Sequence, residues 1–186
     1  MRFFVITLFL AIFIPASFGA TKPIIQAKHT TEKIKLDGLL DESVWAGAMK
    51  AGGDMQQYEP RQGVPMAQKT EFMVVYDKDS IYFGIIAYDT EPQKIVASVM
   101  ERDEVPYYDD SLFLAIDTMN DNRNGYVLWT NPNGIKYDAS VTNNSSLNVQ
   151  WDGIWDVKAV RTKHGWQAEI RLPFSTVRHR AGANVW

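Results

Sequence analysis

The chain has no cysteine, so no disulfide supports it and a stable fold must come from its core or from bound ions. Histidine is almost as scarce: with only His29, His164 and His179, a three-histidine metal site would need all of them. Neither sign of charge dominates, with 19 Lys and Arg against 22 Asp and Glu and no long run of either. Nucleic acid is therefore excluded as a partner, because phosphate binding needs clustered cations. Nothing matches a nucleophile elbow, a zinc-protease helix, a phosphate loop or a dinucleotide fingerprint. Long apolar runs are also missing, apart from Phe3 to Ile14. That run follows Met1-Arg2 and precedes Pro15-Ala16-Ser17-Phe18-Gly19-Ala20, the charged, apolar and small-residue order of a secretory signal peptide, and it is too short to span a bilayer comfortably. Residues 1–19 are expected to be this leader and residues 20–186 one domain, since about 165 residues build one sizeable core.

What is present reads as strand. From Thr70 onward, short segments rich in β-branched and aromatic residues alternate with Asp, Asn, Gly and Pro clusters. Thr70 to Tyr76 and Ile81 to Tyr88 flank the turn Asp77-Lys78-Asp79-Ser80. Ile81 to Tyr88 is apolar on both parities, so it should lie centrally with both faces covered. Tyr126 to Thr130 pairs with Ile135 to Val141 across Asn131-Pro132-Asn133-Gly134. In that second strand Ile135, Tyr137, Ala139 and Val141 are expected to be buried, with Lys136, Asp138 and Ser140 wet. Trp155 to Arg161 and Trp166 to Leu172 make a third hairpin, with Trp166, Ala168, Ile170 and Leu172 inward and Gln167, Glu169 and Arg171 in water. Helix is limited to two short pieces, Glu42 to Ala48 capped by Asp41 and Phe174 to Arg178 opened by Pro173. The pattern predicts an all-β, antiparallel β-sandwich with one or two short helices. The new apolar segment at Ala183-Asn184-Val185-Trp186 suggests an N-terminal part of something longer.

Several segments, in order, resemble the carbohydrate-binding family 9 domains. They are Leu36-Asp37-Gly38-Leu39-Leu40-Asp41-Glu42-Ser43-Val44-Trp45, Phe72 to Asp77, Ile81-Tyr82-Phe83-Gly84, Asp109-Asp110-Ser111-Leu112-Phe113 and the strand end at Asp117. Asn131-Pro132-Asn133-Gly134, Trp151-Asp152-Gly153-Ile154-Trp155 and Gly165 to Phe174 complete the set. The resemblance implies a jelly-roll-like sandwich that binds poly- or oligosaccharide without catalysis, often beside a glycoside hydrolase. It also implies a bacterial protein exported to the periplasm, outer membrane or cell surface, where related domains precede a C-terminal region that looks like an outer-membrane barrel. Family 9 relatives can carry structural calcium, although no cofactor is required.

A sugar offers apolar C–H faces and a rim of hydroxyls, so aromatic rings and nearby amides or charges are the residue types that grip it. Of 6 Trp and 8 Tyr, the pattern assigns Trp45, Trp155 and Trp166 to packing. Trp151, in a polar loop, and Trp129, opposite in parity to Tyr126 and Leu128, are candidate platforms, joined by the pair Tyr107 and Tyr108. Arg102, Asn131, Asn133, Asn143, Asn144 and Gln150 are candidate rim donors. Asp109, Asp110 and Asp152 are the candidate calcium ligands, because hard cations collect loop carboxylates. Neighbouring Asp109 and Asp110 would point to opposite faces of a strand, which does not suit a glycosidase pair. Two other readings stay open: a structural cap for an outer-membrane barrel that has lost sugar binding, and a haem-binding redox sandwich using Met and His.

Overall fold

The computed structural model describes residues 24–53, 55–57, 60–180, 182 and 186; the expected leader lies outside them. Two sheets account for the described strands. The first has the order β1 (Lys28–His29), β2 (Thr70–Tyr76), β3 (Ser80–Tyr88), β9 (Gly165–Pro173), β8 (Asp156–Thr162); the second has the order β4 (Leu112–Ile116), β5 (Gly125–Thr130), β6 (Tyr137–Thr142), β7 (Ser146–Asn148). All neighbours run antiparallel except the two-residue β1, which lies parallel to β2. The expected β-sandwich and its three hairpins are present, and β3 is central as its two-sided apolar pattern requires.

The main core lies between the sheets. Val74, Phe83, Ile85, Ile170 and Leu172 from the first meet Ile116 and Leu128 from the second, with Trp155 and Val177 closing the ends. Each fully buried side chain of this size contributes about 1.5–3 kcal/mol. The other face of the first sheet carries its own cluster: Met73, Val75 and Tyr82 lie under Val44 and Trp45 of α1 (Ser43–Ala46). Gly84 permits this layer, since a Cβ there would stand 2.8 Å from Leu40 and 2.9 Å from the Trp45 ring.

Four expectations need correction. Glu169 is not in water but 1% exposed, because the layer formed by residues 30–50 closes over it. Its carboxylate accepts the N–H groups of Asp37 at 2.9 Å and Gly38 at 2.8 Å, and the indole N–H of Trp45 at 3.2 Å. The alternation in β6 holds only in part: Ile135 and Ala139 are buried as expected, but Asp138, 2% exposed, is buried too, beside Leu128, while Tyr137 and Val141 are only half-buried. Asp41 caps nothing; Glu42 precedes α1 and makes no side-chain cap bond. Phe174 to Arg178 is a turn, because Pro173 is spent as the last ladder residue of β9, opposite Ser80. A short 3-10 turn at Pro92–Lys94 had no signal beyond its proline.

Candidate functional site

Three carboxylates organise the molecule, and each explains a segment that had drawn attention. Glu169 holds the opening Asp37-Gly38 turn, where Gly38 has φ +89° and a Cβ would meet Val160 at 2.8 Å. Burial is the main influence on Glu169 and raises it to about 7; the N–H donors of Gly38 and Asp37 oppose the rise, and the charge of Glu42 adds to it. Asp109 staples the loop before β4. It accepts the Ser98 N–H and hydroxyl at 2.8 and 2.7 Å, the Val99 N–H at 3.0 Å and the Asn131 amide at 2.8 Å. Burial opposes ionisation there, but these donors together outweigh it and bring Asp109 down to about 2.

Asp138 is the third hub. Its oxygens accept the Gly153 N–H at 2.9 Å, the Trp155 indole N–H at 2.7 Å and the Arg102 guanidinium at 2.9 Å. Arg102 also pairs with Asp152, so a surface carboxylate and a buried one share one cation. Lys136 lies over the Trp155 ring at 5.3 Å. A buried carboxylate is tolerable only when its lone pairs are filled, and these are.

The candidate rim residues largely hold the loops themselves. Asn131 is buried and donates to Val99 and Asp109 while its carbonyl accepts the Asn133 N–H; Asn133 donates to Ala97 and Val99. Asn143 and Asn144 form the β6–β7 turn with φ of 51° and 63°, a left-handed pair that asparagine tolerates. Gln150 is exposed, its own N–H resting on Asn148. Trp151 is half-buried, its ring 4.7 Å from Tyr126 and packed against the main core. Tyr107 and Tyr108 are exposed and meet edge to face at 5.3 Å.

Asp109, Asp110 and Asp152 are not brought together as calcium ligands. Asp109 is filled by N–H and O–H donors, Asp110 accepts the Val96 N–H and Asp152 is tied to Arg102. Among the described residues, no three carboxylates or histidines gather into a metal-sized group. This donor set does not fit calcium, which needs several free oxygens converging on one point. The histidines are also apart: His29 is in β1 against Tyr76, His164 in the β8–β9 turn and His179 beside Phe174.

One arrangement escaped the sequence. The ladder places Phe113, Trp129 and Tyr137 directly opposite one another on β4, β5 and β6, on the outer face of the four-stranded sheet. Ring centroids are 5.3 and 5.8 Å apart, with planes turned by 81° and 83°. Phe113 is 56% exposed, Trp129 and Tyr137 half-buried, and the Trp129 indole nitrogen is buried with no partner. Trp129 was recognisable by parity; Phe113 and Tyr137 were not, because only the register across three strands puts them beside it. The row lies at the end of the sheet where Asp109 bonds Asn131, so the Tyr107-Tyr108 loop borders the same end.

The profile of the carbohydrate family 9 binding domain-like family matches residues 36–185. The chain belongs to that family. Solved structures agree on the fold. A family 9 carbohydrate-binding module from Caldicellulosiruptor kristjanssonii with glucose aligns at TM-score 0.57 and 16% identity, covering 82% of this chain and 69% of that one. The cellotriose complex of a family 9 module from the same organism gives 0.53 and 16%, over 81% and 68%. A Bacteroides uniformis protein presumed to bind carbohydrate gives 0.63 and 12%, over 85% and 76%. A comparison with curated proteins finds no match. This family 9 domain thus keeps the sandwich at low identity, and its opening Asp-Gly and Trp serve to fasten a layer onto the sheet.

Proposed function

We propose that the domain is a non-catalytic carbohydrate-binding module whose ligand lies on the outer face of the four-stranded sheet. The observation that carries this reading is the Phe113, Trp129 and Tyr137 row, aromatic surface placed where the core does not use it. Pyranose C–H faces stack on such rings, and the apolar area they bury is worth about 25 cal/mol per Å². Family membership and the glucose- and cellotriose-bound neighbours support the same ligand class. Tyr107 and Tyr108 supply further ring surface from the bordering loop, and Arg102 with Asp152 a charged edge. The setting is export to the bacterial envelope, in the service of polysaccharide breakdown or uptake.

The test is a glycan array followed by calorimetry on the parent and on Trp129→Ala. Saturable binding by the parent that falls at least about tenfold in a folded Trp129→Ala supports the module. Silence across plant, algal and bacterial glycans from folded protein rejects it. One observation favours a structural cap instead: Phe113 and Leu147 of the four-stranded sheet and the loop residues Val105, Tyr107, Tyr108, Val149 and Ile154 are exposed apolar side chains. That reading expects no glycan response and stable association with a barrel-like region.

A further inference from the structure

Each sheet has two edge strands, and an open edge invites another strand to pair with it unless the chain guards it. Three of these edges are guarded. β1 is two residues long and β7 three, while β8 carries Asp156, Lys158 and Arg161 along its length. The remaining edge, β4, has none of these devices. Leu112-Phe113-Leu114-Ala115-Ile116 contains no charge, proline or glycine, and it keeps unbroken register with β5 from Leu112 opposite Thr130 to Ile116 opposite Tyr126. Among the described residues, no backbone group outside β5 bonds to these five. Asp110 bonds Val96 before the strand and Thr118 bonds Arg180 after it, and the stretch between is open.

The side chains agree with an edge that lacks its neighbour. Leu112 and Leu114 pack against the main core yet stay half-buried, and Phe113 is 56% exposed with Ala115 exposed on the same face. The strand is also complementary to itself. Run antiparallel about a two-fold axis at Leu114, it sets Phe113 opposite the partner's Ala115, a large ring beside a small side chain, and Leu112 opposite the partner's Ile116. The flanking acids do not meet, since Asp117 falls opposite Ser111 and Asp110 opposite Thr118. A two-fold pairing uses both copies of the edge, so it closes as a dimer.

We propose that the β4 edge is a docking site for β4 of a second copy of this chain, joining the two four-stranded sheets into one. The pairing supplies partners to the alternate N–H and C=O groups that face away from β5, and it covers the open flank of Leu112, Phe113 and Leu114. Opposed residues of an antiparallel pair share a face, so both copies carry Phe113, Trp129 and Tyr137 on the same side of the joined sheet. The docking stands whether or not those rings bind sugar.

The experiment is amide hydrogen exchange of the full chain at rising concentration, read residue by residue, with light scattering for mass. The expected result is a mass that moves from one copy towards two, with exchange slowing at alternate residues of Leu112–Ile116 and unchanged at the amides already bonded to β5. Ala115→Lys places a charge at an exposed edge position and should weaken the dimer at least about tenfold, with thermal unfolding of the single copy unchanged. Phe113→Glu should do the same. A mixture of these two variants should pair again, because the register sets the introduced charges of opposite sign against each other. The proposal is overturned by a chain that stays a single copy at every concentration, by association that leaves exchange in β4 unchanged, by a protected β4 edge in the single copy, or by a mixture that fails to pair.

Discussion

On the outside of the five-stranded sheet, Met73, Val75 and Tyr82 lie beneath Val44 and Trp45, while on the outside of the four-stranded sheet Phe113 stays 56% exposed beside Trp129 and Tyr137. Both faces are apolar. One is closed by the chain's own opening segment and locked by a buried acid, and the other presents rings to solvent. The difference teaches that the family's opening motif is spent on stability. Its Asp-Gly turn and Trp all end on Glu169. The proposed sugar surface lies on the other sheet.

The sharpest way to break this contrast is Trp45→Ala. Removing a fully buried indole opens a cavity and strips a donor from Glu169, and the expected loss is about 3–5 kcal/mol in denaturant unfolding. A loss below about 1 kcal/mol would show that the layer is not integral to the fold.

A second prediction uses pH. Glu169 is raised in the folded protein from its ordinary 4.5 to about 7, so the native state binds more protons than the unfolded chain between those values. Stability therefore falls as pH rises from about 4.5 to about 7, by up to about 3 kcal/mol. Asp109 acts in the opposite sense: lowered from 3.8 to about 2, it stabilises the loop above about 4 and loses that contribution as pH falls towards 2. The covered face should thus weaken with rising pH and the loop beside the open face with falling pH. Glu169→Gln should flatten the upper limb of the stability profile and leave the lower one; an unchanged upper limb would remove Glu169 from the account.

Smaller effects separate the two faces further. Arg102→Ala leaves Asp138 without its cation and should cost about 1–3 kcal/mol, read by thermal unfolding. Phe113→Ala should change stability by less than about 0.5 kcal/mol, since the ring is more than half exposed. A large loss there would mean that the open face is part of the core.

Much of this was legible in advance, for identifiable reasons. The β2–β3 hairpin was readable because Asp77 accepts the N–H groups of Asp79 and Ser80, a local interaction that depends on nothing distant. Trp45, Trp155 and Trp166 were correctly assigned to packing from their positions in periodic segments. Asp138 and Glu169 were misplaced because alternation treats a carboxylate as solvated. Burial was decided by partners 17 and 124 residues away along the chain, Trp155 and Trp45.

The sequence by itself determined the class of fold and the family, since strand periodicity, turn chemistry and the opening motif are written in neighbouring residues. Tertiary structure decided which face of each sheet is covered and which rings stand side by side. Phe113, Trp129 and Tyr137 come from three segments, and only hydrogen-bond register across β4, β5 and β6 sets them opposite one another. A one-residue slip in either ladder would have sent them to different faces.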